Sequence, residues 1–101
     1  MLQFSVGNTE GKYFSQEKFD LLKSVAHKIF TLNPSATNFH LFYDQDCDWH
    51  YLQFDIADKT LLVRYYKVFN LLKKYQQDLE LLSNFGFDWQ EIANHVKKIQ
   101  G

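Results

Sequence analysis

The stretch Lys59-Thr60-Leu61-Leu62-Val63-Arg64-Tyr65-Tyr66-Lys67-Val68-Phe69-Asn70-Leu71-Leu72, continuing to Asn84, decides the fold, because two periodicities compete in it. Leu61, Tyr65, Val68, Leu72, Tyr75, Leu79 and Leu82 step by four and three residues in turn, the spacing of a heptad seam along one side of a helix. A second apolar row, Leu62, Tyr66 and Phe69, flanks its first half, so this half is expected to be buried on two sides and the Lys73-Lys74-Tyr75-Gln76-Gln77 part to be wetter. Against the helix stands the β-branched and aromatic content of Thr60 to Tyr66, which suits a third strand after an Ala57-Asp58-Lys59 turn, with a helix starting near Lys67. The unbroken seam favours a helix from about residue 60.

Upstream, residues 38–56 read as a hairpin. Phe39, Leu41 and Tyr43, and then Leu52, Phe54 and Ile56, alternate with other residues at the period of half-buried strands. Between them lies Asp44-Gln45-Asp46-Cys47-Asp48, whose aspartates are poor strand formers but good turn residues, since a short carboxylate accepts hydrogen bonds from nearby backbone amides. Nearer the N-terminus, Ser15 is placed to cap a helix and Glu17 falls in its first turn. Phe19, Leu22, Ala26, Ile29 and Leu32 follow at helical spacing, so the helix covers about 15–32 until Asn33-Pro34 stops it. Leu2, Phe4 and Val6 alternate with Gln3 and Ser5 as a short strand with one face buried, which Gly7-Asn8-Thr9-Glu10-Gly11 ends.

Downstream, Gly86 falls where a helix end needs a left-handed residue, and Asp88 with Glu91 three residues on has capping-box spacing. The last helix buries Trp89, Ile92, Val96 and Ile99 with Ala93 beside them, and Lys97-Lys98 complement its C-terminal dipole. Together these elements predict an α+β fold: a short N-terminal strand, a helix, an antiparallel hairpin or three-stranded meander, then a long amphipathic helix and a short C-terminal helix packed on one sheet face.

With 101 residues, Lys+Arg 11 against Asp+Glu 12, one cysteine and one proline, the chain is expected to form a single compact domain over 1–101. Hydrophobic content of 46% and charged content of 23% exclude the disordered classes. Aromatic residues make up 18%, more rings than a core of this size can wholly cover, so surface tyrosines and tryptophans are candidates for a partner surface. A net charge of -1 disfavours a general nucleic-acid binder, whose affinity needs a surplus of Lys and Arg. Cys47 stands alone and cannot form an internal disulfide, Met1 to Gly7 lack signal-peptide features, and no apolar run reaches membrane-span length. The expected setting is the cytoplasm, with no membrane contact.

Chemical motifs are each outweighed by a plainer reading. Asp44, Asp46, Asp48 and Asp55 occupy positions 1, 3, 5 and 12 of an EF-hand-like calcium loop, but Trp49 stands where that loop needs glycine and the flanks are strands. His50 and Cys47 add no closed set of four zinc ligands. Cys47 as a nucleophile with His40, His50 or His95 is opposed by Asp46 and Asp48 on either side, because negative neighbours raise a thiol pKa. His27, beside the apolar face of the first helix, fits a packing or capping role. Gly7 and Gly11 precede Lys12 without the Ser/Thr and helix of a phosphate loop. Arg64, Lys67, Lys73 and Lys74 form a modest basic stripe that suits a solvated helix face as well as a nucleic acid. No catalytic residue, metal or cofactor is therefore expected.

The most informative asymmetry is in the hairpin, where Asp44, Asp46, Asp48, Asp55 and Asp58 lie within fifteen residues and interleave with Tyr43, Trp49 and Tyr51. The function expected is a non-enzymatic protein-interaction domain, a small inhibitor of the immunity or antitoxin kind. It would neutralise a basic protein such as a nuclease toxin through Asp44, Asp46, Asp48, Trp49, Tyr51 and Asp55. The alternative is a homodimeric structural or regulatory module that pairs through the 61–82 seam and touches nucleic acid.

Overall fold

The computed structural model describes residues 2–65 and 69–100, with the side chain of Gln100 excepted. Its elements run β1 (Ser5–Val6), α1 (Gln16–Leu32), β2 (Thr37–Asp44), β3 (Trp49–Ile56), β4 (Lys59–Tyr65), β5 (Phe69–Leu71), α2 (Lys73–Gln76), α3 (Leu79–Ser83) and α4 (Trp89–Gln100). The fold is α+β: among the described residues the strands form one mixed five-stranded sheet in the order β1-β2-β3-β4-β5.

Helix α1 begins and ends as its sequence dictates. The Ser15 hydroxyl accepts the Lys18 amide at 3.3 Å, and Asn33 closes the far end with its amide on the Ile29 carbonyl at 2.8 Å, just before Pro34. The helix links β1 to β2, which run parallel, as a helical crossover permits. It packs across β2 and β3 and beside α4. Strand β1 is shorter than expected: Leu2 and Phe4 pack against the core, but Val6 is 52% exposed, so the three do not share a buried face.

Strands β2, β3 and β4 form an antiparallel meander with Leu41 opposite Leu52 and Leu52 opposite Val63. Phe39, Leu41, Tyr43, Leu52, Phe54, Ile56, Leu61 and Val63 are all buried on the face covered by α1, where they form one core with Leu82, Phe87, Ile92 and Val96 from the C-terminal half. Each fully buried apolar side chain contributes about 1.5–3 kcal/mol. The β3–β4 connection is a two-residue turn, Ala57 and Asp58, at φ 52° and 64°. Both central residues are left-handed, as in a type I′ turn, although neither is glycine.

The long helix expected from about residue 60 is not formed. Residues 59–65 are β4, paired with β3 along its whole length, and 69–71 are β5. Helical structure begins only at Lys73, in the short pieces α2 and α3. The meander reading is the one realised, and pairing is the reason: as β4, Leu61 and Val63 are fully buried while Leu62 between them is half-exposed. The heptad seam is therefore not one continuous face of a helix among the described residues. Leu61 and Leu82 lie in this chain's own core, with Tyr65, Tyr75 and Leu79 packed against it. Val68 of the seam, Tyr66 of the flanking row and Lys67, the alternative helix start, lie outside the described residues.

The chain ends largely as anticipated. Gly86 has φ +84°, the amide of Phe87 returns to the Leu82 carbonyl at 3.2 Å, and Asp88 Oδ1 accepts the Glu91 amide at 3.2 Å to start α4.

Candidate functional site

The residues singled out in the hairpin are joined at one end of β2 and β3. Asp44 ends β2 opposite Trp49, which begins β3, and Gln45 to Asp48 form the connection. Asp44 Oδ1 accepts the amide of Asp46 at 2.9 Å, closing the turn locally. Asp48 is left-handed at φ 55°, and its Oδ1 accepts the Tyr43 hydroxyl at 2.6 Å. That bond, reinforced by burial, pushes the Tyr43 phenol up to about 12. Asp46 is exposed, and among the described residues no bond engages its carboxylate.

Alternation along the strands turns a second set of side chains away from the helices. Phe42 and Tyr51, cross-strand partners, stack with centroids 4.7 Å apart and planes 14° apart. Trp49 meets Tyr51 edge-on at 6.3 Å, and the Arg64 guanidinium of β4 lies 4.1 Å over the Trp49 ring. His40 stacks on Phe42 at 5.7 Å, and its Nδ1 lies 2.6 Å from the Ser5 hydroxyl. Phe42, Trp49 and Arg64 are half-buried, whereas Tyr51 is only 8% exposed because its neighbours enclose it. This is an open sheet face with a row of planar groups leading to the acidic turn.

Of the six expected partner residues, Asp44, Asp46, Asp48, Trp49 and Tyr51 come together here. Asp55 does not. It lies at the other end of β3, about 20 Å away at the usual rise per strand residue. There it accepts Asn38 at 2.9 Å and Thr60 at 2.7 Å. Tyr43, also interleaved with the aspartates in sequence, points into the core and is 2% exposed. Sequence reasoning missed Phe42, although alternation with Leu41 and Tyr43 places it outward. It missed Arg64 because that residue was assigned to a helix. The basic stripe accordingly dissolves: Arg64 lies on β4 and Lys73 and Lys74 on α2, while Lys67 lies outside the described residues.

The site's chemistry is that of a cross-linked turn. Burial, then a hydrogen bond to Asp44, raises the Cys47 thiol above its ordinary range, which opposes the thiolate. Tyr51 is pushed up to about 12, first by burial and then by the neighbouring Cys47. Asp44 and Asp48 are engaged within the hairpin and Asp55 beyond it. Among the described residues no group of three or more His, Cys, Asp or Glu side chains is arranged to hold a metal ion.

His50, one residue from the open-face row, faces the opposite way. It is fully buried among Phe14, Phe19 and Tyr43, and its Nε2 accepts the backbone amide of Ser15 at 3.0 Å. The proton of the neutral ring must then sit on Nδ1, which has no partner. Burial, aided by Lys18 and opposed by Asp48, lowers its pKa from 6.5 to about 4. The residue fastens the start of α1 to the sheet.

Comparison with known proteins gives no kinship: no family model, no curated protein and no solved structure matches this chain. Among the described residues no helix is long and apolar enough to cross a membrane.

Proposed function

We propose that this chain is a non-enzymatic, cytoplasmic interaction domain that binds a basic protein, in the role of a small immunity protein or antitoxin neutralising a nuclease toxin. The observation that carries the reading is the exposed Asp46 in the turn that leads into Trp49, whose ring stacks with Arg64 on a sheet face with no helix over it among the described residues. Stacked Trp and Arg side chains on a firm sheet lose little rotamer freedom on binding and are the usual energetic anchors of an interface. Carboxylates at the rim add long-range attraction and orientation. Asp44 and Asp48 would contribute their charge while remaining tied to the turn, and Tyr51 would support Trp49 from below. Asp55 is too distant to belong to the same contact.

A toxin inhibitor is the role in which an acidic aromatic surface meets a basic protein. This reading is tested by affinity capture of the tagged protein from its own cells at low and high salt, with mass spectrometry of what is retained. The expected result is a stoichiometric basic protein lost at high salt, since exposed charge attraction is screened within about 8–10 Å. Asp46→Lys should weaken capture by about tenfold, and Trp49→Ala by more, with the melting temperature of the Asp46 variant unchanged. Capture of no basic protein, or capture indifferent to both substitutions, would refute the proposal.

A further inference from the structure

Among the described residues the sheet ends at β5, and the far side of that strand is one wall of a cleft of about 400 Å³ whose other wall is α4. Its apolar lining comes from Phe69 and Leu71 on the strand and from Trp89, Ala93 and Val96 on the helix. We infer that this cleft is a second binding site, which takes an extended, carboxylate-bearing apolar segment of a partner protein as a sixth strand. The inference does not depend on the proposed function, which concerns the open face of β2, β3 and β4 and not the edge of β5.

Backbone chemistry selects an extended chain. The Leu72 amide bonds to the Leu62 carbonyl at 3.0 Å, so the carbonyl of the preceding residue, Leu71, alternates away from β4 toward the open edge. There it accepts Gln76 Nε2 at 3.3 Å, a long neutral bond from an exposed side chain. An incoming strand offers a backbone amide in the same place, and its alternate side chains would enter the apolar cleft while the others face water. Gln76 thus occupies the position of the missing strand's donor and competes with it.

Charge selects the carboxylate. Lys97 is the one charged side chain lining the cleft among the described residues, with Lys98 next to it on the last turn of α4. A second copy of this chain is a poor occupant, because its β5 edge would offer Phe69, Asn70 and Leu71, with no carboxylate to meet Lys97.

The test uses the full-length protein with Trp49→Phe, so that Trp89 alone reports by fluorescence. Random peptides of about ten residues, displayed on phage, are selected against it, and enriched sequences are resynthesised and titrated. We expect peptides with apolar residues at alternate positions and an Asp, Glu or free C-terminal carboxylate. Lys97→Glu should weaken them about tenfold, and Gln76→Ala should tighten them about two- to tenfold, the worth of one exchanged hydrogen bond. The tightening is a result that general damage to the fold would not produce. No enrichment, or peptides indifferent to both substitutions, would overturn the inference. So would a Trp89 response to octanoate without any peptide enriched, since the cleft would then serve a small amphipathic anion.

Discussion

The two faces of the central meander differ in what they can lose. On the helix-covered face, Leu52, Phe54, Leu61 and Val63 are wholly buried and join α1, α3 and α4 into one core. On the open face, Phe42 stacks on Tyr51, Arg64 lies over Trp49 and Gln53 stands opposite Leu62, and Phe42, Trp49, Gln53, Leu62 and Arg64 remain half-exposed. The same strands supply both, one residue apart. A side chain on the first face is a condition of folding, whereas one on the second is free to be chosen for what it meets outside.

Truncation on the two faces should separate these roles most strongly. Phe54→Ala removes a ring stacked between Phe39 at 5.8 Å and Phe87 at 6.1 Å, with no solvent to fill the space. A loss of about 3–5 kcal/mol is expected in urea unfolding. A loss below about 1 kcal/mol would mean that α3 and Phe87 do not pack as described.

His50 is the polar exception on the covered face, and pH is the way to probe it. Its folded pKa, about 4, lies below the unfolded 6.5, so the unfolded chain binds the extra proton first. The neutral ring's contribution is present above pH 6.5 and is lost as pH falls toward 4, an effect of roughly 3 kcal/mol. His50→Gln keeps an acceptor for the Ser15 amide without a titrating ring. Its unfolding free energy should therefore be nearly flat over that window, where the parent's falls. Parallel pH profiles for the two proteins would show that His50 is not the titrating group.

The smallest effect is expected on the open face. Leu62→Thr replaces a half-buried leucine opposite Gln53 with a β-branched residue suited to a strand, and stability should change by less than about 1 kcal/mol. A loss comparable to that of Phe54→Ala would mean that this face is covered in the folded protein.

Much of this arrangement was legible. Ser15, Asn33-Pro34, Gly86 and Asp88 mark helix ends because capping is local chemistry, decided within a few residues. The alternation of Phe39, Leu41 and Tyr43 identified the buried side of β2 for the same reason. The misreading of residues 60–72 has a specific cause. Residues four apart share a face in a helix and in a strand alike, so the step from Leu61 to Tyr65 supports both, and only a three-residue step discriminates. The first such step runs from Tyr65 to Val68, and Val68 lies outside the described residues, beyond the last residue of β4.

Of the candidate site, the acidic turn and its attached Trp49 and Tyr51 were visible as a cluster in the chain, since neighbours in sequence on a hairpin remain neighbours in space. Arg64, fifteen residues beyond Trp49, reaches its ring only through the pairing of β3 with β4. Ser15 and His50 are thirty-five residues apart and meet because α1 lies across the sheet. The groove between β5 and α4 is likewise lined by segments with no local relation to each other. Short-range chemistry sets where this chain turns, caps and alternates. Long-range pairing decides which of two compatible periodicities is adopted, because the backbone hydrogen bonds and buried area offered by β3 outweigh any local preference of residues 59–65 for a helix.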